Sequence, residues 1–262
     1  MNHGSGSSPA TALGALRRSL FFASWPFFIL YLILPVYGTE LGASVVEIGL
    51  FFSAFSFMTV LARPVIGWAL DRFGRRPFLI AGLAGYAATW ASFALIDQVW
   101  GLALARALQG VSSAFVWLTS YAIVADVSNE RTRGGAFGSV AQASSIGSLV
   151  GAFVGFGLLN NSLNLNVQGV QLGSWEILFL VYGIAGLAAA LVTLWRLPET
   201  RPRNSLVTGH AENALGSIAW SRAWLLLLLV TLVTGASWAM VSPVLIVFLQ
   251  DSLDLGIETL SW

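Results

Sequence analysis

Long apolar runs alternate with short polar punctuation along this chain of 262 residues. Each run is close to the roughly 20 residues that a helix needs to cross a hydrocarbon layer. They fall at about 19–38, 46–69, 78–96, 99–124, 136–159, 175–196 and 223–250. At this length only helices satisfy their own backbone in lipid, so the pattern predicts an all-α membrane protein with seven transmembrane helices in view. Residues 1–18 read as a cytoplasmic N-terminal tail, whose Gly/Ser-rich opening, MNHGSGSSPA, reads as mobile. Residues 19–197 read as a six-helix bundle, the polar stretch 198–222 as a linker, and 223–262 as the start of a second bundle. Leu255-Gly256 and the residues after it can be laid over Leu41-Gly42, as an internal repeat would require. That repeat places Trp262 at the start of an eighth helix and predicts a fragment of a twelve-helix protein.

The arginines orient these helices. Arg17, Arg18, Arg72, Arg75, Arg76, Arg131, Arg133, Arg196, Arg201, Arg203 and Arg222 all fall on one side if the N-terminus is cytoplasmic. The opposite loops carry Glu40, Glu47, Asp97 and Glu176, which is the asymmetry of the positive-inside rule. The run after Arg17-Arg18 is too long for a secretory signal and has no small-x-small cleavage site, so it reads as a signal-anchor helix.

Composition agrees: 56% of residues are hydrophobic and 10% charged, with mean hydropathy +0.78. A soluble domain has about 25% charged residues. A net charge of +1 says nothing about nucleic acid, and no nucleic-acid partner is expected. There is no cysteine, and His3 and His210 lie in polar segments, so neither a thiolate nor a histidine metal site is expected. No phosphate-binding loop of the G-x-x-x-x-G-K-[ST] type occurs, which removes ATP as a direct driver. No cofactor is expected, and nothing points to an enzyme.

Between the second and third runs stands Gly67-Trp68-Ala69-Leu70-Asp71-Arg72-Phe73-Gly74-Arg75-Arg76-Pro77. A basic turn this short between two membrane-length runs is a tight cytoplasmic hairpin, and its acid can pair with the neighbouring arginines. Gly67, Asp71, Arg72, Gly74 and Arg75 resemble the signature loop of the major facilitator superfamily, G-x-L-a-D-r-x-G-r-k, with Arg76 in place of lysine and Ala69 in place of leucine. The fourth run holds Leu102-x-x-x-Arg106-x-x-Gln109-Gly110, similar to the family's helix-four motif. A buried arginine is expensive in lipid and must face the bundle interior or a wet cavity. In the fifth run Gly138, Gly147, Gly151 and Gly155 follow the spacing of the drug:proton antiporter motif, with Ala152 for its proline and Phe156 for its last glycine.

The resemblance implies a major facilitator fold: an N-terminal six-helix bundle plus the first helix of a C-terminal bundle. It implies a secondary transporter in a plasma membrane, multi-pass, with the lipid bilayer, a small-molecule substrate, protons and a missing C-terminal bundle as its partners. Alternating access is the expected mechanism, with proton-coupled efflux as the direction. Gating falls on residues 67–76 and on Asp126, Glu130, Arg131 and Arg133, with Asp126 as partner for Arg75. Trp25, Tyr31, Trp117, Tyr121, Gln142 and Trp238 are the cavity candidates and would suit an apolar or aromatic substrate. No Asp, Glu or His lies at the middle of any run, so a uniporter or symporter for sugars or metabolites stays open. So does a non-transporting assembly or receptor protein on the same scaffold.

Overall fold

The computed structural model describes residues 8–201, apart from 162, 164, 168 and 169, together with 226, 229, 230 and 233. Helix α1, Pro9–Ala23, begins well before the expected start at residue 19. The reason is local: Ser8 caps it through its hydroxyl, which accepts from Thr11 N at 3.3 Å, and Pro9 sits where no N–H is needed. Ala12, Ala15 and Leu16 are buried, so the stretch read as tail is in part a packed helix. The helix breaks at Ser24-Trp25-Pro26, where Pro26 has no amide hydrogen to continue the ladder, and resumes as α2, Phe27–Glu40.

Helix α3, Val45–Phe73, starts at a capping box in which Ser44 and Glu47 satisfy each other's backbone. Then come α4, Arg76–Phe93, α5, Val99–Val127, α6, Arg133–Asn160, and α7, Ser174–Arg196. The loop after α6 is not wholly irregular. It carries an antiparallel hairpin, β1 (Leu165–Val167) and β2 (Val170–Leu172), the one departure from an all-helical chain among the described residues. Among the described residues, five stretches are long and apolar enough to cross a membrane: α1 with α2, α3, α5, α6 and α7. Helix α4 opens with Arg76-Pro77, which dilutes its apolarity, and packs instead against both α5 and α7. These elements form one compact unit, Met1–Arg201. The expected seventh span and Trp238 lie outside the described residues, save for Leu226, Leu229, Val230 and Val233, which are helical.

Two large cores hold the bundle, beside a small third one of Ile66, Leu70 and Ala114 between α3 and α5. One, at the end bearing the 67–76 loop, joins Leu16 and Leu20 of α1, Leu79 of α4, Val124 of α5, Ala136 of α6 and Leu197. The other is aromatic and joins Tyr37, Phe51, Trp90, Phe93, Phe179 and Tyr182. Lipid is as apolar as leucine, so helix association rests on close backbone approach and interhelical hydrogen bonds. Thr59 donates to the Gly110 carbonyl at 3.0 Å, Thr193 to Ser19 at 2.8 Å and Tyr182 to the Gly151 carbonyl at 3.0 Å.

Candidate functional site

The hairpin between α3 and α4 turns at Gly74, whose φ of 100° is a conformation that L side chains rarely adopt. A Cβ there would also lie 2.7 Å from Glu199 Oε2. Next to it Arg75 turns inward and is buried. Its Nε donates to Asp126 Oδ2 at 2.9 Å, Nη2 lies 3.1 Å from Asp71 Oδ1, and Nη1 donates to the Leu70 carbonyl at 2.7 Å. One guanidinium thus ties the end of α3 to the end of α5. Asp71 is 78% exposed, whereas Asp126 is 12% exposed.

Glu199 closes this arrangement, and it was not among the candidates read from sequence. Its carboxylate accepts from Arg75 N at 2.8 Å and Arg76 N at 3.1 Å, which places an anion on the unsatisfied N–H groups at the start of α4. It also accepts from Thr200 N and Arg201 N. Arg201 Nη1 donates to the Arg72 carbonyl at 2.7 Å, and Arg76 donates to the Leu194 carbonyl. The signal lay in Leu197-Pro198-Glu199-Thr200. Proline stops the ladder of α7, and the acid one residue on is free to reach the α4 terminus. Arg72 itself is exposed, beside the rings of Trp68 and Phe73. Gly67 faces Leu118 at ordinary contact distance. Glu130, Arg131 and Arg133 are exposed and make no ion pair among the described residues; an Asn129 side chain that accepts from Arg131 N and Thr132 N shapes that turn.

Arg106 lies in the interior of α5 and is 2% exposed. It donates to Gln109, and its guanidinium carbon is 4.4 Å from the Phe55 ring centre and 5.5 Å from that of Phe52. Its Nε has no hydrogen-bond partner and no acid approaches it among the described residues. Gly110 makes this geometry attainable, because a Cβ there would collide with the Phe55 carbonyl oxygen and push α3 away.

The glycines of α6 do two different things. Cβ atoms on Gly147 and Gly151 would strike the carbonyl oxygens of Phe21 and Trp25, and one on Gly155 would strike the Tyr182 hydroxyl. Gly147 and Gly151 therefore seat α6 on the break between α1 and α2, where Ser24 and Ser144 share a hydrogen bond of 2.7 Å, and Gly155 seats it against α7 and Ile29 of α2. Gly138 meets nothing and lines a groove of about 540 Å³ between α5 and α6, with Trp117, Tyr121, Phe137, Val140 and Ala141. Rings run along its wall, Trp117 to Tyr121 at 5.9 Å and Tyr121 to Phe137 at 5.8 Å, with Phe27 behind Trp117 at 5.7 Å. Of the other cavity candidates, Tyr31 stacks on Phe52 beside Arg106, Trp25 packs with Phe21 and Phe22, and Gln142 is exposed.

Long apolar helices, with Arg75 and Arg106 buried in the bundle interior, define a multi-pass membrane protein. The chain belongs to the Major Facilitator Superfamily, whose family model matches residues 19–262. It is 29% identical over 199 residues to Multidrug resistance protein 1 of Bacillus subtilis (strain 168), covering 76% of this chain and 48% of that protein. It is 28% identical over 175 residues to the inner membrane transport protein YajR of Escherichia coli (strain K12), covering 65% of this chain and 36% of that one. The chain thus spans about half the length, or less, of these curated relatives. Among solved structures, a bacterial homologue of the human lysosomal transporter Spinster, inward-facing and unoccupied, shares the fold with a TM-score of 0.69 at 18% identity, over 98% of this chain and 59% of that one. The human organic anion transporter MFSD10 (TETRAN) shares it at 0.59 and 23%, over 75% and 49%.

Proposed function

We propose that this bundle belongs to a secondary transporter of the plasma membrane that moves a small apolar or aromatic organic molecule outward by alternating access, in exchange for protons. The groove walled by Trp117, Tyr121 and Phe137 carries the substrate class. Its rings offer large flat apolar area with few ordered polar groups, which suits a planar organic molecule better than a sugar. Resemblance to drug-resistance proteins of Bacillus subtilis and Enterobacter lignolyticus supports the same class.

In this reading the N-terminus is cytoplasmic, and the Arg75–Asp126–Asp71–Glu199 cluster is the cytoplasmic gate. A guanidinium buried by two carboxylates is a discrete contact that forms or breaks as two bundles rock about a central site. Arg106 acts at the core, where a cation with no acid beside it can answer to the charge of substrate or proton. The opposing bundle comes from the rest of the polypeptide or from a second copy.

One observation favours uniport or symport. Helix α6 runs unbroken from Arg133 to Asn160, with buried Ala152 where the antiporter motif has proline. Everted membrane vesicles that hold the polypeptide as its native source encodes it separate the readings. Ethidium uptake that rises with an acid-inside pH gradient and collapses with an uncoupler is the expected result. Uptake indifferent to the gradient would remove proton exchange. No ethidium uptake, with sugar flux instead, would remove the substrate class as well.

A further inference from the structure

A second groove, of about 370 Å³, runs along the other flank of α6, between it and α1, and is lined by Arg17, Arg18, Phe21, Phe22 and Ile146. It differs from the ring-walled groove in one respect that matters: its rim carries two positive charges. Neither guanidinium has an ion-pair or cation–π partner among the described residues. Neither α1 nor α6 contains an acidic side chain that could supply one.

The depth of the pair also matters. Helix α1 begins at Pro9, so Arg17 and Arg18 stand about two turns inside it, and the unbroken apolar run starts just beyond them. They mark the level at which the helix passes from headgroup to hydrocarbon. Below them Phe21 and Phe22 pack edge to face at 5.2 Å and give the groove an apolar floor. A soluble anion would use the arginines and gain nothing from that floor. An apolar ligand would use the floor and leave two desolvated charges.

We infer that this groove holds an anionic phospholipid of the surrounding bilayer, its phosphate on Arg17 and Arg18 and the upper part of its chains against Phe21, Phe22 and Ile146. Basic recesses between membrane helices recognise acidic headgroups in this way, each arginine near the surface being worth about a fivefold change in affinity. The inference does not rest on the proposed substrate, and the lipid would bind whether or not it is ever carried.

Native mass spectrometry of the polypeptide as its source encodes it, titrated with phosphatidylglycerol or phosphatidylcholine, tests it. The wild type is expected to retain one phosphatidylglycerol tightly and phosphatidylcholine weakly. R17Q/R18Q should weaken the first by roughly thirtyfold. I146W should fill the groove and weaken it with both charges intact, while Arg196→Gln, an exposed arginine elsewhere, should change nothing. If the double variant does not fold, I146W carries the test alone. Retention unchanged in I146W would mean that arginines act as diffuse surface charge, and displacement by inorganic phosphate would mean a soluble anion; either overturns the proposal. So does the absence of retained lipid in the wild type, as when another part of the protein covers the groove.

Discussion

Arg75 and Arg106 are both buried arginines, 7% and 2% exposed, but they are buried by opposite means. Arg75 has two carboxylates and a carbonyl, and the backbone beside it is held by a third carboxylate. Arg106 has an amide three residues along its own helix and the faces of two phenylalanines, with no acid near it among the described residues. The first is a compensated charge whose partners come from separate elements, so the contact reports their relative position. The second is uncompensated: cation–π contacts of about 2 kcal/mol each at best do not repay the several kcal/mol of desolvation. A lock can be built from the first arrangement. Under the proposed function, the second keeps a charge available for the substrate or proton.

The largest expected effect breaks the contrast outright. Asp126→Ala leaves the Arg75 guanidinium buried with one exposed acid, and should lower stability by about 3 kcal/mol. Arg106→Leu removes an uncompensated charge and should leave the melting temperature unchanged or raised, yet abolish substrate flux. If Arg106→Leu destabilises as much as Asp126→Ala, the two arginines are alike and the contrast is wrong. The swap Arg75→Asp with Asp126→Arg should regain part of the flux lost in each single variant. A double variant no better than the worse single would show that the pair has no role as a lock.

Packing comes next. Gly110→Ala presses on the Phe55 carbonyl and Gly151→Ala on that of Trp25, so each should cost about 1–3 kcal/mol in thermal or denaturant unfolding. Gly138→Ala, in open space on the same helix as Gly151, should be neutral, and equal effects at 138 and 151 would refute the division of roles along α6. Glu199→Gln should cost about 1 kcal/mol through the lost anion at the start of α4, and salt should shrink that difference. Asp71→Asn should change stability by less than about 0.5 kcal/mol, because an exposed ion pair is worth little. A fall in flux from that substitution, at normal membrane insertion, would tie Asp71 to gating rather than folding.

Much of the scaffold was legible because lipid leaves few options: a run of about 20 apolar residues is a helix or it is not in the membrane. Family membership was legible from the spacing of Gly67, Asp71, Gly74 and Arg75. The errors are local and instructive. The start of α1 at Pro9 was missed because a Gly/Ser-rich leader hid the Ser8-Pro9 cap, and β1 and β2 were missed because three-residue strands carry almost no pattern. Glu199 was missed because it lies far along the chain from the loop that it closes.

The sequence by itself determined most of the helices and the residue types at each motif, since these follow from hydropathy and local spacing. Only the tertiary structure decided which charges meet. Arg75 found Asp126 while Glu130, Arg131 and Arg133 stayed exposed, and Arg106 found rings instead of an acid. Pairing is a matter of a few ångströms between helices distant in sequence, and that distance is set by where glycines let backbones touch, which no single helix encodes.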